Sequence, residues 1–156
     1  MILEAPEDQC LQMKRDFRFF SFLDEQDVTK LSPYFECRSY QKGDNIWVEG
    51  SDCQFIAFIV SGRIETKKET EFRGKQVVVG VYRHESLIGI LSLLSNEPRP
   101  VTATALEDCH LLLLHRDRFD KINELYPDLG GRLMKGMLFS LSMRLRQSYE
   151  RLAAIF

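Results

Sequence analysis

The sequence predicts an α+β fold, mainly β: an antiparallel β-roll of the double-stranded β-helix or jelly-roll kind, with helices before it and a long helix after it. Three observations predict this. Between Phe35 and Leu114 apolar residues alternate or fall in short runs, and turn residues recur at close intervals, which marks short antiparallel strands rather than alternating strands and helices. On either side of that stretch the apolar spacing becomes helical. A chain of 156 residues with 44% hydrophobic residues buries one good core and has no room for a second full domain. The organisation expected is therefore N-terminal helices over 1–34, the roll over 35–116 and C-terminal helices over 117–156, as one structural unit.

The elements follow in order. Pro6 to Phe22 places Met13, Phe17 and Phe20 at helical spacing and predicts an amphipathic helix with an aromatic face. Asp24 is positioned as the N-cap of a short helix through Ser32, with acidic residues offsetting the orphan amides of its first turn, and Pro33 closes it. Within the roll, Gly43, Gly50 and Gly62 stand where strands reverse, which suits a residue that accepts positive φ. The charged segment Lys67 to Lys75, containing Gly74, predicts an exposed hairpin tip rather than a binding patch.

The C-terminal stretch Tyr126 to Phe156 carries Met134, Leu138, Leu141, Leu145, Ser148, Leu152 and Ile155 at alternating spacings of four and three, a heptad seam. Leu133, Met137 and Phe139 lie off that seam and are available to the roll. A helix with two apolar faces has two partners to satisfy, so a homodimer through Met134, Leu138, Leu141, Leu145, Ser148 and Leu152 is expected; the alternative is that the helix packs only on its own roll. Arg132, Lys135, Arg144, Arg146 and Arg151 on the same stretch are expected to form a solvated flank, partly offset by Asp128 and Glu150.

Composition excludes several classes. A net charge of -2 gives no general reason to expect nucleic acid or an anionic membrane as partner. The longest apolar runs, Leu111 to Leu114 and Val77 to Val81, are far too short to span a bilayer, and Met1 to Gln9 lacks the apolar core of a signal peptide. Cys10, Cys37, Cys53 and Cys109 show no C-x-x-C pairing and read as reduced thiols, which places the chain in the cytoplasm. The three histidines, His84, His110 and His115, have no zinc-ligand spacing with cysteines or carboxylates. No nucleophile elbow, H-E-x-x-H or P-loop is present. No enzyme, metal or cofactor is expected.

The stretch Gly89-Ile90-Leu91-Ser92-Leu93-Leu94-Ser95-Asn96-Glu97-Pro98-Arg99-Pro100-Val101-Thr102-Ala103 resembles the phosphate-binding cassette of cyclic-nucleotide-binding domains, as in catabolite-activator-like regulators and protein kinase A regulatory subunits. The resemblance extends through Lys42 to Ile46, Glu49-Gly50 and Phe55 to Glu65, then Thr102 to Glu107, Cys109 to Leu114 and the helical Arg118 to Leu125. It implies a pocket formed by Gly89, Ile90, Leu91, Ser92, Arg99, Pro100 and Val101, with Arg99 on the cyclic phosphate. The family's ribose-binding Glu is replaced by Ile90, which accepts no hydrogen bond. Pro100 follows Arg99 where the family uses a backbone N–H on the phosphate, and proline has none. Two such losses amount to roughly 3 to 5 kcal/mol, or about a hundredfold to several thousandfold in affinity. Glu85 stands where the family often has a turn glycine.

Arg99 retains two readings, a bidentate hold on a phosphate or other small anion and a structural contact inside the roll. Gly89 opens a short helix whose amides can face an anion. In the DNA-reading members the helix-turn-helix follows the dimer helix, about where Phe156 ends this chain, so no DNA-binding domain is expected within it. The function expected is a non-enzymatic signalling or regulatory module with a degenerate pocket, working through homodimer and protein contacts and binding cyclic AMP or cyclic GMP weakly or not at all in the usual mode. The alternative is a genuine cyclic nucleotide receptor with an unusual pocket.

Overall fold

Two strands explain the architecture. Phe55–Ser61 and Cys109–His115 are almost wholly apolar, and a strand of that composition needs cover on both faces. The computed structural model, which describes residues 10, 13, 18–52 and 54–156, gives them that cover. In chain order the strands are β1 (Phe35–Tyr40), β2 (Asn45–Trp47), β3 (Phe55–Ser61), β4 (Ile64–Glu69), β5 (Gln76–Tyr82), β6 (Leu87–Ile88), β7 (Thr102–Ala105) and β8 (Cys109–His115). The helices are α1 (Glu25–Leu31), α2 (Ile90–Ser95), α3 (Arg116–Leu125) and α4 (Pro127–Ala153). Two antiparallel four-stranded sheets, β1-β8-β3-β6 and β2-β7-β4-β5, face each other as the expected roll.

Alternation divides the apolar runs between two cores. Phe55, Ala57 and Ile59 of β3 and Cys109, Leu111 and Leu113 of β8 fill the space between the sheets with Trp47, Ile64 and Ala103. Ile56 and Phe58, with Leu112 and Leu114, point the other way, onto Phe20, Leu31, Phe119, Leu133 and Met137 of the helical layer. Gly62 reverses the chain between β3 and β4 at φ +93°, where a Cβ would lie 2.5 Å from the Cys109 Sγ and 2.7 Å from the Asp108 carbonyl. The expected Lys67–Lys75 tip is shorter than the sequence suggested: Lys67 to Glu69 continue β4, paired with β5, and the exposed turn runs over 70–75, with Gly74 at φ +80°.

The N-terminal helices are met in part. Cys10 and Met13 are helical and buried, whereas Phe17 and most of the expected Pro6–Phe22 helix, like Cys53, lie outside the described residues. Arg18–Phe22 is a 3-10 helix rather than the end of an α-helix. The reason lies in its aromatic residues: neighbouring Phe19 and Phe20 both turn inward onto Phe58, while Phe22 meets Phe139, so no single helical stripe describes them. Asp24 caps α1 as expected, and Pro33 sits in a further 3-10 turn, Ser32–Tyr34.

Glu85 occupies the left-handed region at φ 73° in the turn between β5 and β6, a conformation costing a side-chain-bearing residue about 1 to 2 kcal/mol. After allowing for the larger entropy of glycine in the unfolded chain, Glu85→Gly is expected to stabilise the fold by roughly 0.5 to 1 kcal/mol. Urea titration checks this, and a midpoint that stays put or falls would remove strain as the meaning of that φ.

Candidate functional site

The cassette is built by a turn, a short helix and an extended return. β6 ends at Ile88, Gly89 turns the chain at φ +90°, α2 runs for 6 residues, and Asn96 closes it in the left-handed region. Glycine is required at 89 by space as well as by φ, because a Cβ there would lie 2.5 Å from Arg99 Nη1 and 3.1 Å from the Trp47 ring. The return strand is pinned to the loop after β2: Arg99 N–H donates to the Ser51 carbonyl at 2.8 Å, and Gly50 N–H donates to the Arg99 carbonyl at 2.8 Å. This pairing fixes where the Arg99 side chain enters.

Arg99 enters the roll and is 2% exposed. Its guanidinium lies 3.7 Å from the centroid of the Trp47 ring and 5.3 Å from that of Phe55, and Nη2 donates to the Phe55 carbonyl. A desolvated guanidinium stacked on an indole face gains cation–π attraction of about 2 kcal/mol, and the carbonyl satisfies part of its donor set. Trp47 Nε1–H is buried with no acceptor among the described residues.

The structure brings Gly89, Ile90, Leu91, Ser92, Arg99, Pro100 and Val101 together around one cavity of about 160 Å³. Ile90 is buried and joins the helix-side core with Leu87 and Leu93, while Leu91 is exposed. Ser92 Oγ donates weakly to the Pro98 carbonyl at 3.5 Å, and the Ser92 carbonyl accepts from Arg116 Nη2 at 2.6 Å, tying the cassette to α3. The cavity falls below the roughly 300 to 1,000 Å³ of pockets that enclose drug-sized ligands.

The wall also includes residues not singled out in the sequence as pocket-forming, among them Trp47, Thr66, Tyr82 and Arg144. Arg144 corrects an expectation, since it does not belong to a solvated flank. It is half-buried, its guanidinium carbon lies 4.7 Å from the Tyr82 ring centroid, and Nη2 donates to the Leu87 carbonyl. Burial holds its pKa below the ordinary arginine value, against an opposing effect of Tyr82. Arg132 leaves that flank too, pairing with Asp27, whereas Arg146 stays on it with Glu150 at 3.3 Å. The one signal available was that the sole tryptophan and an arginine inside an apolar helix both ask for a reason.

On α4 the expected seam divides. Leu138, Leu145 and Leu152 are 62%, 53% and 56% exposed, while Met134 and Leu141 pack partly against their own core, and Ser148 Oγ returns a hydrogen bond to the Arg144 carbonyl. Leu133 and Met137 are fully buried on the roll, as their off-seam positions suggested. The edge strand β5 exposes Val77, Val78, Val79 and Val81. The histidines make local contacts: His110 Nδ1 with Ser39 Oγ at 2.8 Å, His84 Nδ1 with the Val60 carbonyl at 2.8 Å and His115 Nε2 with Glu36 at 2.7 Å. Among the described residues no His, Cys, Asp and Glu group gathers as a metal site.

Comparison with known proteins agrees with this geometry. The family model of the cyclic nucleotide-binding domain matches residues 37–125, more than half of the chain. The transcriptional activator protein FnrA of Stutzerimonas stutzeri is 28% identical over 128 residues, 82% of this chain and 49% of FnrA. A cyclic nucleotide-binding domain from Methylobacillus flagellatus superposes with a TM-score of 0.84 at 21% identity, covering 96% of this chain and 84% of that one, and so carries the fold. The regulatory domain of Toxoplasma gondii PKA, crystallised with cAMP, superposes at 0.67 with 28% identity over 78% of this chain and 46% of its own. The chain spans about half the length, or less, of the first curated relatives it matches.

Proposed function

The chain belongs to the cyclic nucleotide-binding domain family, and from that premise we propose that it is a non-enzymatic signalling module whose cassette pocket is degenerate, acting through homodimer and protein contacts in the cytoplasm. It binds cyclic AMP or cyclic GMP weakly or not at all in the family's usual mode. The observation that carries this reading is the state of Arg99, stacked on Trp47, bonded to the Phe55 carbonyl and sealed from solvent. An incoming phosphate would have to replace those contacts with less help than usual, since Ile90 offers a sugar no acceptor and Pro100 offers a phosphate no N–H.

Support for the homodimer comes from the exposed Leu138, Leu145 and Leu152; the exposed valines of the edge strand β5 are a second apolar surface of the kind proteins cover. A second copy of the same helix satisfies a heptad seam by symmetry. Among the described residues no helix is long and apolar enough to cross a membrane.

The second reading, a genuine receptor with an unusual pocket, is favoured by one observation: the buried Trp47 Nε1–H, which has no acceptor among the described residues. A ligand oxygen would satisfy it. Calorimetric titration with cyclic AMP, cyclic GMP and cyclic dinucleotides separates the readings. The expected result is no saturable binding tighter than about 100 μM for either mononucleotide; low-micromolar binding of one of them would establish the second reading.

A further inference from the structure

The face of α4 that packs on the roll changes chemistry partway along the helix. Leu129, Leu133, Gly136 and Met137 are buried against the domain. The same face continues as Ser140, Arg144, Gln147 and Arg151, about 130° around the helix from the seam of Leu138, Leu145 and Leu152. Where it crosses the turn between β5 and β6, helix and turn stand apart and enclose a groove of about 560 Å³. That is the volume of a small-molecule site, and more than three times that of the cassette cavity, about 160 Å³.

The lining of the groove is cationic from both sides. The turn supplies Arg83, and α4 supplies Arg144 and Arg151, with Gln147 between them. Glu85 is the one carboxylate among the described lining residues, and it lies 3.9 Å from His84 Nε2. Arg144 has no carboxylate partner among the described residues: it rests on Tyr82 and spends one N–H on the Leu87 carbonyl. A half-buried guanidinium without a counter-charge is costly to keep, and burial already weakens its hold on its proton. An anion in the groove would repay that cost, and guanidinium forks match phosphate oxygens bidentately.

We propose that this groove binds a small phosphate-bearing polyanion, of the size of a pyrophosphate or nucleoside polyphosphate, held by Arg83, Arg144 and Arg151. The groove adjoins the cassette cavity, sharing Val79, Tyr82 and Arg144 with it, but Arg83 and Arg151 line the groove alone. Its position gives it a lever: a polyanion bridging Arg83 to Arg144 and Arg151 fastens the β5–β6 turn to the helix that carries the dimer seam.

The test is calorimetry of the full chain with inorganic pyrophosphate and, in parallel, inorganic tripolyphosphate, ATP and adenosine, at ionic strength held constant with sodium chloride. Saturable binding of pyrophosphate is expected, with none of adenosine. ATP binding tighter than that of inorganic tripolyphosphate, which matches it in phosphate number, assigns a share to the nucleoside, and equal binding assigns the site to the phosphates alone. The Arg83→Gln/Arg151→Gln variant is expected to lose at least about tenfold in affinity, and Glu85→Gln, which removes the opposing charge, to gain. Arg146→Gln, on the far flank of α4, should change affinity less than about twofold. Absence of saturable pyrophosphate binding at millimolar concentration overturns the proposal, as does a loss in Arg146→Gln equal to that of the double variant. Should the double variant fail to fold, a Glu85→Gln protein that binds no more tightly than the wild type overturns it equally.

Discussion

Replacing Leu138 and Leu145 together with Arg is expected to leave the chain folded and monomeric, where the proposed α4 interface makes the wild type a dimer. Both side chains are more than half exposed on the chain alone, so arginine at these positions meets water in the monomer and meets a second arginine across the seam in the dimer. The choice of positions matters. Leu141 lies on the same seam but packs partly on the helix-side core, and a charge there would confuse loss of folding with loss of assembly. Light scattering should give the wild type a mass near twice the 18.2 kDa of one chain and the double variant a mass near 18.2 kDa, with unchanged circular dichroism. A wild-type monomer at tens of micromolar, or a dimer that survives both arginines, would remove α4 as the interface.

The roll was legible because its most buried strands cannot be disguised. A sheet covered on one face alternates, but β3 and β8 are covered on both, and the runs Phe55 to Val60 and Leu111 to Leu114 have no other use in a soluble fold. Local chemistry was legible for the same reason that it is local: Asp24 caps a helix whose first turn follows it directly, and the cassette announces itself by residues within one loop. The pocket wall was not legible, because its partners are remote. Arg99 stacks on a tryptophan 52 positions earlier, and Arg144 bonds a carbonyl 57 positions away. A helical wheel correctly sets Arg144 off the seam, yet it carries no information that a turn of another element stands opposite. For the same reason Met134 and Leu141 read as seam residues, although the roll claims part of each.

Asp27→Ala is expected to cost about 2 to 3 kcal/mol near neutral pH, because one carboxylate holds two elements at once. Its Oδ2 accepts from the Asp24 amide at 3.1 Å while Asp24 Oδ1 accepts from the Asp27 amide at 2.8 Å, the reciprocal box that starts α1. The same carboxylate takes Arg132 of α4 in bidentate fashion, at 2.9 Å from Nε and 2.6 Å from Nη2. Burial pushes the Asp27 carboxyl up, but the Arg132 hydrogen bonds, the Asp24 amide and the charges of Arg132 and Lys30 together outweigh it and hold it below the ordinary value of 3.8. A carboxyl whose pKa is lower folded than unfolded contributes stability that is fully present above the unfolded value and is lost as pH falls through the folded one. As pH falls through and below the ordinary value of 3.8, the wild type should therefore lose stability that the Ala variant has already lost, and the gap between the two should narrow on acidification. At neutral pH the gap corresponds to a melting temperature lower by roughly 5 to 10 °C. Urea unfolding of both proteins at neutral pH and near pH 3 measures it, and Arg132→Ala in a double-mutant cycle separates the ion pair from the cap. A gap that keeps its full size in acid would mean that the Asp27 charge is not what joins α1 to α4.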